Sequence, residues 1–171
     1  MNKTIAVLIL LSLFLCRLPA QDLNRVITDT KTGSDMLVGY CNRDGLTEDS
    51  FRDWFVPEYD KYLVDHVVLN DLNQDLFLIC EITVVLGTWC SDSQREIPRF
   101  IRIMDELGFE ANALNMICVD RAKQTETGSL EELQIERVPT IIFYVQGEEL
   151  GRIIETPKVT LEADMVQIFN Q

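Results

Sequence analysis

Cys90 lies where an apolar, β-rich run, Ile82 to Leu86, passes through Gly87-Thr88-Trp89 into a helix-patterned stretch that starts at Ser91. The first turn of a helix presents unpaired N–H groups and the positive end of the helix dipole. Both favour a thiolate over a thiol, and the thiolate is the nucleophile. Trp89 beside it shields one side of the sulfur from water. This placement points to a reactive cysteine rather than an inert one. Asp92 acts in two directions: a carboxylate suits a helix N-terminus, yet a negative charge beside Cys90 disfavours the thiolate. Arg95 and Arg137 are the candidate counter-charges.

The chain has five cysteines, Cys16, Cys41, Cys80, Cys90 and Cys118, and a single histidine, His66. These spacings do not resemble a zinc site, which needs close Cys/His pairs. His66 reads as a surface or helix-end residue. Cys118 belongs to the strand beside that of Cys90 and reads as a core cysteine, since a disulfide needs Cα atoms within about 7 Å. Cys80 opens the central strand at the end remote from Cys90. Cys41 is the better candidate for a thiol that resolves a Cys90 adduct.

The elements that must position these groups follow from hydrophobic spacing. Ile82–Leu86 has the composition of a strand buried on both faces. Ile97, Phe100, Ile101, Met104 and Leu107 give residues 91–107 a helical face, Pro98 should kink it, and Gly108 stops it. Leu114–Val119 reads as a second buried strand and Leu130–Leu133 as a short helix. Thr140–Val145 is a third strand. Gln146-Gly147 turns it into a fourth, Leu150–Ile154. Thr160 can cap a last helix carrying Leu161, Met165, Ile168 and Phe169. Helices between the first three strands imply parallel crossovers, and the hairpin adds an antiparallel edge.

Upstream, Met36–Tyr40 reads as a short strand. Phe51, Trp54, Phe55, Tyr59, Tyr62 and Leu63 mark an apolar, core-facing helix that should break and restart at Pro57. Leu69, Leu72 and Leu76 suggest another helical stretch. Residues 21–35 are polar and read as a flexible lead-in.

Lys3 followed by the apolar run Ile5–Leu15 fits a secretory signal peptide, with Leu18-Pro19-Ala20 at the cut. The run is too short to span a bilayer comfortably. Cys16 follows Leu15, unlike the small residue that lipoprotein signals place there. Export would put the remaining cysteines where disulfides persist. With 171 residues, 47% of them apolar, the chain is long enough for one domain and its own core. A net charge of −13 argues against nucleic acid and anionic membranes as partners.

Trp89-Cys90-Ser91-Asp92-Ser93 resembles the Trp-Cys-X-X-Cys motif of the thioredoxin family, with Ser93 in place of the second cysteine. Pro98 matches the proline of the family's active-site helix, and Val138-Pro139-Thr140 resembles its cis-proline loop. The likeness spans residues 80–171. It implies an α/β, thioredoxin-like fold, a central mixed sheet flanked by helices, with an added, mainly helical segment over 36–79. The expected organisation is a signal peptide (1–20), a lead-in (21–35) and one domain (36–171). By the resemblance, Pro139 is cis and faces Cys90, leaving the Val138 backbone free to pair with an extended substrate.

Two departures bear on chemistry. Ser93 cannot attack a mixed disulfide, so no Cys90–Ser93 cycle exists, although its hydroxyl could donate to the thiolate. Val84 stands where the family often carries a buried acid that serves the second cysteine. The expected protein is therefore an exported monothiol, periplasmic or secreted. Cys90 and Ser93 form its catalytic pair, and Trp89, Asp92, Val138, Pro139 and Thr140 contact substrate. Isomerase or deglutathionylation chemistry suits it better than net reduction. Its partners would be thiol- or disulfide-bearing clients and an external reductant; no cofactor or metal is implied. A redox-inactive module that binds extended peptides at the Pro139 groove is the rival reading, and a thiol peroxidase ranks last.

Overall fold

The computed structural model describes residues 22–109, 113–125 and 130–171. The expected signal peptide, Cys16 included, lies outside the described residues. Strand β1 (Val26–Thr28) pairs antiparallel with β2 (Asp35–Leu37). The stretch expected to be a flexible lead-in is thus a hairpin. Its turn is closed by Asp29, whose carboxylate accepts the Lys31 N–H at 2.9 Å and the Thr32 hydroxyl at 2.8 Å. The apolar run 36–40 is divided between β2 and β3 (Gly39–Cys41), with Gly39 at φ +84° where the chain changes partner.

Four helices follow: α1 (Arg43–Leu46), α2 (Asp49–Lys61), α3 (His66–Leu69) and α4 (Gln74–Leu78). Helix α2 runs unbroken through Pro57, against expectation. Pro57 sits on the exposed side, so water can serve the carbonyl that its missing N–H leaves unpaired. The opposite side buries Phe51 and Phe55. The Leu69–Leu76 pattern resolves into two short helices because the Asn73 side chain caps α4 by accepting the Leu76 N–H. His66 opens α3 and meets Glu106 at 2.7 Å on the surface.

The main sheet has five strands in the order β3-β5-β4-β6-β7. They are completed by β4 (Cys80–Leu86), β5 (Leu114–Cys118), β6 (Thr140–Val145) and β7 (Glu148–Ile154). Helix α5 (Ser91–Glu106) links β4 to its parallel neighbour β5, and α6 (Leu161–Phe169) closes the chain. Gly108 takes φ +69° just past α5, the left-handed stop that a glycine supplies. Thr160 caps α6 through the Ala163 N–H at 3.1 Å.

Two expectations are corrected. β6 runs antiparallel to β4, with Thr140 opposite Val85. β5 ends and β6 begins at the same end of the sheet, so joining them needs no crossover to the far end. Accordingly, residues 130–134 form hydrogen-bonded turns instead of a short helix. The added segment also supplies an edge strand, since β3 pairs antiparallel with β5.

One face of the sheet packs under α2, α5 and α6 around Phe100, Phe143 and Phe169, whose rings meet edge to face at 5.3 to 6.2 Å. A smaller cluster of Val85, Val119 and Val138 lies apart from it, with Trp89 and Cys90 packed against it. Among the described residues no helix is long and apolar enough to cross a membrane.

The hairpin is fastened to the sheet by charge. The Arg121 guanidinium donates to Asp29 at 2.7 and 2.8 Å, and Asp29 is only 2% exposed. That hydrogen bond, helped by the Lys31 N–H, holds the Asp29 carboxyl well below the usual carboxylate range. A carboxyl depressed on folding stabilises the fold above its unfolded pKa, roughly 3.9, and the contribution is lost as pH falls lower. Asp29→Asn should therefore lower the urea midpoint at pH 7, and the gap to the parent should begin to narrow as pH falls below about 4. Urea titrations at pH 7 and pH 3 check this.

Candidate functional site

Strand β4 ends at Leu86, and a tight turn follows in which the Cys90 N–H donates to the Gly87 carbonyl at 2.9 Å. Cys90 is the residue before the first turn of α5, with extended φ −96° and ψ 125°. Its side chain makes no capping bond to that helix. The sulfur is thus left for other chemistry, half-buried at the head of the helix. The thiol donates to the Val138 carbonyl at 3.3 Å, and the Val138–Pro139 peptide is cis. Cys90 and the Val138-Pro139 loop therefore face each other. Val138 is 4% exposed, and its backbone carbonyl is the group that bonds the sulfur.

Ser93 sits one turn into α5 and is fully buried. Its hydroxyl oxygen accepts the Gly87 N–H at 3.2 Å. The side chain that replaces a second thiol thus ties the helix to the turn that presents Cys90. Trp89 donates its indole N–H to the Val119 carbonyl at 2.9 Å and packs over Gly87. A Cβ on Gly87 would lie 2.7 Å from the indole ring, so only glycine allows this approach. Thr88 is held on both sides, its hydroxyl accepting the Leu37 N–H at 3.1 Å and its carbonyl the Gln94 amide at 2.7 Å.

Thr140 opens β6 and is 1% exposed, with its hydroxyl donating to the Arg137 carbonyl at 2.7 Å. Its side chain braces the loop from beneath, whereas the sequence reading had it meet substrate. Asp92 is half-buried and paired with Arg95 at 2.7 Å, so its charge beside Cys90 is largely offset.

Both expected counter-charges are engaged elsewhere. Arg95 is committed to Asp92 and Glu96, and Arg137 to Glu155 at 2.5 Å. A third cation, Arg121, lies beside the turn that presents Cys90. Its guanidinium stacks over the Trp89 ring at 5.0 Å while Asp29 pins it from the hairpin. A signal for it existed in the sequence. Residues just beyond the carboxyl end of a parallel strand line the same crevice as those beyond its neighbour, and Arg121 follows β5 closely.

Cys41 and Cys118 are not brought to Cys90. Both lie in the large core cluster, while Cys90 packs against the small one. The expected resolving role for Cys41 therefore has no support in the geometry. Cys80 opens β4 at the far end, and burial pushes its thiol up to about 11. Among the described residues no cluster of His, Cys, Asp or Glu is placed to hold a metal ion.

No protein-family model and no curated protein matches the chain. Solved structures do resemble it. A protein of unknown function from Pseudomonas aeruginosa has a TM-score of 0.52 at 14% identity, over 70% of this chain and 83% of its own. An HIV epitope-scaffold also has a TM-score of 0.52, at 13% identity over 70% and 84%. An oxidised thioredoxin from Arabidopsis thaliana has a TM-score of 0.40 at 16% identity, over 61% and 85%. At these identities the likeness concerns the fold alone. The mixed sheet flanked by helices, with a cysteine heading the helix after the central strand and a cis proline across from it, is a thioredoxin-like fold.

The Arg121 guanidinium on the Trp89 ring is the positive charge that an anionic reagent approaching Cys90 would meet. Arg121→Gln should slow alkylation of Cys90 by iodoacetate on the order of threefold at pH 7. Peptide-resolved labelling rates check this; an unchanged rate would mean that Arg121 serves only the hairpin.

Proposed function

We propose that this chain is an exported monothiol thioredoxin-like protein in which Cys90 carries out thiol–disulfide exchange. The observation that carries the reading is the sulfur itself. It is half-buried at the head of α5, spent on no capping bond, and 3.3 Å from the carbonyl that precedes the cis proline. The apolar run Ile5–Leu15 supports export.

In the proposed reaction the Cys90 thiolate attacks one sulfur of a substrate disulfide. A bond forms between Cys90 and that sulfur, and the other sulfur leaves as a thiolate that takes up a proton. The product is a mixed disulfide on Cys90. Ser93 has no thiol with which to displace it, and its hydroxyl is held by the Gly87 N–H. An external thiol must therefore release Cys90 by the same exchange in reverse. Such a cycle moves a glutathionyl group or reshuffles a client's disulfide; it does not reduce one outright. An extended client would lie along the Val138–Pro139 loop, with the Trp89 ring as one wall and the Arg121 charge near the exchanging sulfurs.

Cys90→Ala should lower removal of glutathione from a glutathionylated peptide to the uncatalysed rate; activity equal to the parent's would refute the reading. If Cys90→Ala is inactive but both parent and variant capture the same clients without reducing agent, the groove is a binding module and the thiol is incidental. Ser93→Cys restores a second thiol and should confer net reduction of a protein disulfide, which the parent lacks. Turbidity of a reduced disulfide-linked substrate checks the gain.

A further inference from the structure

Cys41 and Cys118 are 77 residues apart in sequence, yet their sulfurs are 2.9 Å apart in the core. The pairing of β3 with β5 explains how. Cys41 stands opposite Met116 and Gly39 opposite Cys118, so both cysteines project from the same face on adjacent strands. Gly39 has no side chain, which leaves room on that face for Cys118 to lean towards Cys41. Cys41 is 5% exposed and Cys118 fully buried. A disulfide bond is about 2.05 Å long, so closing it needs less than about 1 Å of combined movement.

We propose that Cys41 and Cys118 form a disulfide that fastens the edge strand β3 to the sheet. The position is one where a cross-link has most to hold. β3 is a three-residue edge strand with a single neighbour in the sheet. It joins the hairpin that carries Asp29 to the helices of the added segment. A bond across a long loop restricts the unfolded chain strongly. Cys80 lies in the same cluster but at the other end of β4, bonded to the Glu81 carbonyl, and Cys90 faces the smaller cluster. The pairing is thus specific to two of the four described cysteines.

The oxidant required is a disulfide, either a small-molecule one such as glutathione disulfide or a disulfide-donating protein. One cysteine, as its thiolate, attacks the donor disulfide and releases one donor thiol. The second thiolate attacks the resulting mixed disulfide and releases the other. Two protein thiols lose two electrons and two protons, and one donor disulfide becomes two thiols. Burial pushes the Cys118 thiol well up, so exchange in the closed fold is slow and the bond forms while the chain folds.

The test uses the full chain and its Cys90→Ala variant. Each is refolded from denaturant with a glutathione/glutathione disulfide buffer, quenched in acid, alkylated without reduction and mapped by mass. The expected result in both is a Cys41–Cys118 linked peptide, two hydrogens lighter than the separate peptides, with Cys80 alkylated. Reduction of that bond should lower the Tm on the order of 10 °C. The Cys41→Ala/Cys118→Ala double variant should melt at the same temperature with and without reductant. Cys41 and Cys118 both alkylated, either one linked to Cys80 or Cys90, or a parent Tm indifferent to reduction would overturn the proposal. Its outcome is independent of the proposed Cys90 chemistry, since the linked peptide is expected whether or not Cys90 is present.

Discussion

Everything at the site depends on the register of the central strand. β4 is paired on one side with β5, Leu86 opposite Cys118, and on the other with β6, Val85 opposite Thr140. The last hydrogen bond on the β5 side, from the Val119 N–H to the Leu86 carbonyl at 2.9 Å, carries the alignment to the strand ends. Three chain segments are thereby brought to one end of the sheet: the turn before Cys90, the residues leading to Arg121, and the Val138-Pro139 loop. A one-residue slip would turn every side chain of the strand to the opposite face, and the buried runs on both faces of β4 resist it. The head of α5 and the Val138 carbonyl meet at one sulfur, with the Arg121 guanidinium on the neighbouring Trp89 ring, because these three strands cannot slide.

The rest of the molecule buttresses that arrangement. Helix α2 lies along α5, joined to it by Glu58 and Arg99 at 3.0 Å, and Tyr59 and Arg43 converge on Asp105 near its end. Glu162 of α6, 1% exposed, accepts bonds from the Tyr62 hydroxyl and the Asp65 N–H. Burial, together with the negative charge of Glu162, pushes the Tyr62 hydroxyl well above the usual phenol range. The added segment therefore bridges the first and last helices of the core. At the other edge, Asp29 and Leu37 reach the site directly, one through Arg121 and one through Thr88.

The sequence made legible whatever local chemistry determines. The composition of Ile82–Leu86, the Thr160 cap and the Gln146-Gly147 turn each specify their element within a few residues, and all three are found. Cys90 and Pro139 were legible as a pair because the motifs occur in order and at the right separation. What failed depends on distant partners. Polar residues 22–35 are held by bonds to distant partners, such as Asp29 to Arg121 and Asn24 to Asn42. Pro57 keeps its helix because tertiary packing of Phe51 and Phe55 outweighs one missing hydrogen bond. The direction of β6 is set by its pairing with β4, a distant partner that the local pattern at Leu130–Leu133 does not report. Arg121 looked ordinary because its partners, Asp29 and Trp89, are 92 and 32 residues away in the chain. Cys41 and Cys118 could not be matched before the edge strand's partner was known.

The central claim, that Cys90 exchanges disulfides without an internal partner, is tested most directly by the lifetime of its adduct. The reduced chain is mixed with a small excess of glutathione disulfide, freed of reagent, and followed by intact mass and peptide mapping. The account predicts one glutathione on Cys90 that persists until an external thiol is added and then leaves at once. A Cys90 that takes up no glutathione, or an adduct that resolves without added thiol into a bond between Cys90 and another cysteine of the chain, would contradict it.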